Sequence, residues 1–376
     1  MSASALARQL LYGDGPHGRE AAIDVIRGLC IVSMVFAHIA LGGIGYKVTH
    51  AAVWFDGAMG FVLLSGLVVG MVQRKTIERG RLSDGPIKVI RRARLVYVAH
   101  LFICALAFGV ANAFPRRDGT YASFEDVGGW WQALVAALLL QINPPRAAIL
   151  SLYVVLLLLT AGAAILAFKR WWWLFVVALI GLFAVGHLFP EAFTLPRMPG
   201  VFGEINWATW QATYFLAFIV GWNWDRVRPR LDSRPWHAFS LSLVAAVIVW
   251  ARLDRSEMLP PAVSEVNAWI FGSGQMGPGT VIFAFLVMAA LFPIIRWAEG
   301  KIPPATSVLA RIGRRSLDCY VMLSVLVLLV PSFLPYRTYS LGADLGAVAT
   351  LLLMWVWNRW RDYRSATSKA RERSLT

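Results

Sequence analysis

Ten apolar runs, each near the length of a bilayer-crossing helix, follow one another from residue 24 to residue 358. A hydrocarbon layer about 30 Å thick is crossed by about 20 apolar residues in helical form. With no water inside that layer, every backbone N–H and C=O must be paired within the protein, so only helices and closed barrels cross it. The runs are continuous and do not alternate with polar residues, which points to helices. The chain is therefore expected to be all-α, a polytopic membrane helix bundle of about ten transmembrane helices. The predicted spans are 24–45, 55–73, 93–113, 149–168, 171–189, 208–224, 236–253, 278–297, 316–334 and 340–358. Composition agrees: charged residues make up 15% of the chain, against about 25% in soluble domains. The expected organisation is a cytoplasmic N-terminal segment (1–22), a transmembrane domain (23–360) and a basic cytoplasmic tail (361–376) that reads as disordered.

One further apolar stretch, WWQALVAALLLQI at 130–142, is short for a span, and charge decides how it lies. If it does not cross and the N-terminus is cytoplasmic, 27 Lys and Arg fall inside and 8 outside, as the positive-inside rule requires. If it crossed, the basic segments from Lys169 onward would face out. It is therefore expected to be re-entrant or interfacial on the outer side, with both termini in the cytoplasm. Backbone of that kind is tolerated at membrane depth where it is buried in protein or lines a cavity, and the QINPP turn, Gln141 to Pro145, fits a cavity lining. The net charge of +15 does not indicate a nucleic-acid partner, because the basic residues are dispersed between apolar runs. Cys30, Cys104 and Cys319 all lie in apolar runs without metal-site or disulfide spacing. No metal-ligand set, Walker motif, dinucleotide fingerprint or cleavable leader is recognisable, and no repeat of 20–50 residues is visible.

Ionisable residues inside a span are functional candidates by default. Arg27 and His38 share the first run. Eleven helical steps of about 100° put them on nearly one face, with His38 about 16 Å further along. The run 24–45 thus puts an arginine at the membrane edge and an imidazole near mid-depth. Asp24, one turn before Arg27, shares this face. It either holds Arg27 and stabilises developing charge, or sits at a helix N-terminus where the dipole favours it. Arg91, Arg92 and Arg94 lead into the third span. They fit cytoplasmic topology, and arginine also suits bidentate phosphate binding. Tyr97 and His100 follow on one face; His100 reads as a second base, a substrate ligand or a packing histidine, the last two favoured. Asp56 opens the second span, in which Ser65 and Gly66 permit close helix contact. Glu204, Asn206, Trp210 and Gln211 lie at the outer mouth of the sixth span. They read either as an aromatic belt with polar neighbours or as hydroxyl partners and flat faces for a sugar.

Taken together, these motifs resemble the membrane acyltransferase family three and, more closely, the OpgC-type succinyltransferases of osmoregulated periplasmic glucans. The D-x-x-RG motif with a later histidine is matched by Asp24, Arg27, Gly28 and His38. An aspartate leading to F-V-x-x-SG is matched by Asp56, Phe61, Val62, Ser65 and Gly66. The R-x-x-x-V-Y-x-A-H motif is matched by Arg92, Val96, Tyr97, Ala99 and His100. L-Q-x-x-P-P and L-x-L-Y-V are matched by Gln141, Pro144, Pro145, Leu150, Leu152, Tyr153 and Val154. N-x-x-x-WQ is matched by Asn206, Trp210 and Gln211, and G-R-x-SL by Gly313, Arg314, Ser316 and Leu317. Six motifs in order cover residues 22–335. Met59 stands where relatives commonly carry a glutamate, and a serine where they often carry proline.

The resemblance implies an acyl-CoA:glycan O-acyltransferase, multi-pass in the bacterial inner membrane. Its catalytic residues would be His38, Arg27 and Asp24. The donor would be acyl-CoA, succinyl-CoA by the closer likeness, held at Arg91, Arg92, Arg94 and Tyr97, with no permanently bound cofactor. The glycan acceptor would meet His100, Asp56, Ser65, Gln141, Tyr153, Asn206, Trp210 and Gln211. Partners would be these substrates and the lipid bilayer, and a homo-oligomer is compatible with the chain. The alternative from the residues is a glycan or anion transporter or flippase without acyl transfer.

Overall fold

Each of the ten predicted runs carries a helix in the computed structural model, which describes residues 20–51, 54–79, 84–114, 123–144, 148–196, 205–255, 258–272, 276–333 and 340–375. No strand forms among the described residues; the one β-bridge joins Thr194 to Asn206. The helices are α1 (Ala21–Ile39), α2 (Ile44–Thr49), α3 (Gly57–Glu78), α4 (Asp84–Ala113), α5 (Trp130–Leu138), α6 (Ala148–Phe168), α7 (Trp172–Leu188) and α8 (Pro190–Phe193). The remaining helices are α9 (Trp207–Trp222), α10 (Trp224–Leu231), α11 (Arg234–Arg255), α12 (Pro261–Ile270), α13 (Pro278–Lys301), α14 (Pro303–Arg314), α15 (Ser316–Phe333) and α16 (Leu341–Leu375). By length and composition, seven of these are able to cross a membrane: α1, α3, α4, α6, α11, α13 and α16. The α7 helix and Ser316–Val330 are shorter apolar helices. The α9 helix has 16 residues, an axial length of about 24 Å. The nine residues of α5 rise only about 14 Å, too little to cross, as its charge context requires.

Two elements differ from their sequence expectation. The first helix ends at Ile39, not residue 45, because Gly42, Gly43 and Gly45 follow and Gly42 takes φ 79°. Glycine both weakens a helix and permits this left-handed turn. The chain then makes the separate short α2. At the other end, the tail expected to be disordered continues α16 to Leu375. Its Arg, Lys, Glu and Ala are good helix formers and it holds no Gly or Pro after Leu341–Gly346. The segment 1–19, Pro145 and Glu204 lie outside the described residues.

Close backbone approach sets the bundle. At Gly66 and Gly70 of α3, a Cβ would overlap the carbonyls of Tyr214 and Phe218 on α9; at Gly221 it would overlap that of Leu67. Small residues four apart let membrane helices pack backbone to backbone, so Gly66 is a packing residue. Ile31, Leu64, Leu152 and Phe218 are fully buried between helices, while Leu95, Phe102, Ile180 and Leu352 face outward. An exposed apolar belt of this kind suits lipid.

The charge distribution predicts that Ser123, in the segment joining α4 to α5, is extracytoplasmic. In a variant lacking Cys30, Cys104 and Cys319, which are all buried and free, Ser123→Cys should react with an impermeant maleimide in intact cells. Reaction only after permeabilisation would overturn the topology.

Candidate active site

The α1 helix passes through the centre of the bundle, packed on α3 and α14, and it buries the two charged residues near its start. Asp24 and Arg27 are 5% and 6% exposed. The Arg27 guanidinium lies over the Phe61 ring of α3, 5.6 Å from its centroid, a cation–π contact that partly replaces lost hydration. Tyr153 of α6 donates its hydroxyl to the Phe61 carbonyl (3.1 Å), and the two rings stand 5.4 Å apart. A cleft at this level is lined by Phe61, Arg92, Val96, Ile149, Leu150, Tyr153, Leu317 and Tyr320. Residues from the second, third, fourth and sixth motifs therefore line or adjoin one space. The first and sixth also meet directly: a Cβ at Gly313 would overlap the Asp24 carbonyl, and one at Gly28 would overlap that of Leu309.

Arg92 is the one of the three arginines at the start of α4 that lines this cleft. All three are exposed, and helical geometry turns Arg91 and Arg94 to a different side from Arg92. Tyr97 donates to the Leu138 carbonyl at the end of α5 (2.7 Å), so its hydroxyl anchors that end of the short helix to α4.

His38 occupies the last turn of α1 and is half-buried. Because the helix ends at Ile39, His38 is its penultimate residue. About 16 Å of axial rise separates His38 from Arg27, and the two residues lie toward opposite ends of α1. The same end as His38 holds the α2 segment and Asp56. Asp56 caps α3, its Oδ1 accepting from Met59 N–H (2.8 Å), which satisfies an otherwise unpaired first-turn amide.

His100 is fully buried in a polar chain. Its Nδ1 is 3.1 Å from Ser151 Oγ, and Cys104 Sγ is 3.4 Å from Nε2. Ser151 donates to Asn143 Oδ1, whose amide nitrogen in turn donates to the carbonyls of Leu140 (3.3 Å) and Pro196. Since Ser151 spends its proton on Asn143, its oxygen is an acceptor toward His100 Nδ1. This chain fastens the turn after α5 to α4 and α6. Gln141, on the same turn, points outward and is exposed.

Asn206 caps α9, accepting from Ala208 and Thr209 N–H and donating to the Gly186 carbonyl (2.7 Å). Gln211 donates to the Leu179 carbonyl (3.0 Å). Both are fully buried and Trp210 is buried, so these amides tie α9 to α7. Ser65 is buried, and its hydroxyl has no hydrogen-bond partner among the described residues.

Ser33, His50, Asn143, Ser151 and Tyr320 escaped sequence reading. None makes a pattern by spacing. His50 follows a short polar helix that reads as loop, and Ser33 is one small residue in an apolar run. Only the fold brings them to their partners.

A family model described as OpgC protein matches residues 19–365. No curated protein and no solved structure matches the chain.

Proposed function

This chain belongs to the OpgC protein family, and from that premise we propose that it moves an acyl group, succinyl by the closer resemblance, from acyl-CoA to a hydroxyl of an envelope glycan. Membership supports a glucan-modifying membrane acyltransferase. The observation that carries it is the convergence of motif residues far apart in sequence: Phe61, Arg92 and Tyr153 line one cleft, and Arg27 of α1 lies over the Phe61 ring.

The donor's phosphates engage Arg92 and Arg27 at the inner side, where guanidinium groups bind phosphate through paired hydrogen bonds. The pantetheine arm then runs along α1 toward its far end, the direction in which His38 lies. The acceptor hydroxyl meets the thioester there, and His38 acts as the general base. A positioned base of this kind contributes about 10² to 10⁴ in rate. A thioester carries a good leaving group, so base catalysis and positioning suffice for the chemistry.

The test is acyl transfer by the purified protein: succinyl-CoA and periplasmic glucan in detergent, with free CoA and acylated glucan both measured. Transport without CoA release would instead support a flippase. One residue-level expectation accompanies it. Charge-assisted hydrogen bonds are worth about 1.5–3 kcal/mol each, so Arg27→Ala should weaken succinyl-CoA binding about ten- to hundredfold while the protein still folds. Wild-type affinity and turnover in that variant would remove Arg27 from the donor site.

A further inference from the structure

Between the arginine cleft and His38, α1 carries a second reactive group. Ser33 lies six residues beyond Arg27 and five before His38, about 9 Å and about 8 Å along the axis and about 120° and about 140° around it, on the face that meets His50 and Gly57. Its hydroxyl is 3.4 Å from His50 Nε2, within the reach expected of a serine and its base before substrate tightens the contact.

The partners of His50 fix which nitrogen faces Ser33 as a base. Thr49 spends its proton on the Gly45 carbonyl (2.9 Å), so Thr49 Oγ1, 3.0 Å from His50 Nδ1, accepts from it. The Tyr46 carbonyl, 3.3 Å from the same nitrogen, is also an acceptor only. The network therefore assigns the proton to Nδ1 and the lone pair to Nε2, toward Ser33. The ring is held by stacking on Tyr46, with centroids 4.2 Å apart. The segment bearing it is clamped by Asp344 of α16, which accepts from Ile44 and Gly45 N–H (3.1 and 3.2 Å). The Asp56 carboxylate is near enough to stabilise a charged His50, while partial burial pushes the ring below the ordinary histidine range. The neutral, base-competent form thus prevails at neutral pH.

We propose that Ser33, with His50 as its base and Asp56 stabilising the imidazolium, is the nucleophile that carries the acyl group between donor and acceptor. This rests on the acyltransferase reading. In the first half, Ser33 Oγ bonds to the acyl carbon, His50 Nε2 takes the hydroxyl proton and the C–S bond breaks. The CoA thiolate takes a proton from the medium on its own side. In the second half, the acceptor oxygen bonds to the acyl carbon of the seryl ester and His38 takes the acceptor's proton. The ester C–O bond breaks and His50 returns its proton to Ser33. His38 then releases its proton to the medium. Atoms balance, with one proton taken up on the donor side and one released on the acceptor side.

The test is an acid-quenched incubation of the purified protein with succinyl-CoA and no acceptor. A burst of free CoA near one per protein is expected, with a hydroxylamine-labile succinyl ester on the peptide containing Ser33. Ser33→Ala should bind succinyl-CoA yet show neither burst nor transfer, and Ser33→Cys should form a thioester at the same position. His50→Gln should slow the burst about a hundredfold or more. Transfer by Ser33→Ala within a few-fold of wild type, or the adduct mapping to His38, overturns the seryl relay and leaves the acyltransferase reading standing. Absence of both CoA release and glucan acylation in the wild-type protein overturns both.

Discussion

Replacing His38 with Ala or Gln is expected to abolish acyl transfer while leaving expression and succinyl-CoA binding close to wild type. His38 is half-buried in the last turn of α1, so its removal takes away little packed volume. Burial-dependent losses of several kcal/mol belong to fully enclosed side chains. The donor's phosphates, on our reading, bind about 16 Å away along the helix, out of contact with the imidazole. A general base is worth about 10² to 10⁴, so transfer should fall by at least two orders of magnitude with unchanged donor affinity. His100→Ala should differ in kind. That ring is fully enclosed, and its loss leaves Ser151 without its donor and a cavity against Cys104. Its primary effect should be on thermal stability, with transfer reduced in proportion to the folded protein remaining. Parallel measurements of transfer, succinyl-CoA affinity and melting temperature separate the two. A His38→Ala protein transferring within a few-fold of wild type would end the assignment of His38 as base.

The fold class was legible because a bilayer imposes a length and a polarity on every crossing segment, and both survive in the linear sequence. The shortness of the helix at 130–142 was legible for the same reason. Helix ends were less so. Hydropathy carries the first run on to residue 45, but the glycines at 42, 43 and 45 stop the helix at Ile39 and move His38 from mid-helix to a helix end. The tail differs in the opposite sense: its polarity reads as disorder, whereas helix propensity continues α16. For the site, spacing brought Asp24, Arg27 and His38 onto one helix face. It did not distinguish a buried amide satisfied by a neighbour's carbonyl, as at Asn206 and Gln211, from one open to a ligand. That distinction depends on which carbonyl the packing supplies, a long-range property. The same holds for Ser33 and His50, which only the turn back through α2 brings together.

Gly313→Val is expected to prevent accumulation of the folded protein, and Gly28→Val to do nearly the same. These glycines sit where α1 and α14 touch backbone to backbone. A Cβ at Gly313 would overlap the Asp24 carbonyl and crowd Gly28 N–H at 2.8 Å; a Cβ at Gly28 would overlap the Leu309 carbonyl. A flexible side chain could swing aside, but a helix backbone cannot, so relief requires the two helices to separate. Overpacking a well-packed core by a few methylenes typically costs about 1–3 kcal/mol, occasionally more. Here the obstacle is main chain on both sides, which places the cost at or above that range, against a typical total stability of about 5–15 kcal/mol. Separation would also shift Asp24 and Arg27, which α1 carries on either side of this contact. Gly313→Ala is the graded control: the smallest Cβ should lower the melting temperature and weaken donor binding in the fraction that folds. Size-exclusion profiles and thermal melts in detergent measure both. A monodisperse Gly313→Val protein with a wild-type melting temperature would show that α1 and α14 do not meet here, and the packing that sets Arg27 against Phe61 would have to be sought elsewhere.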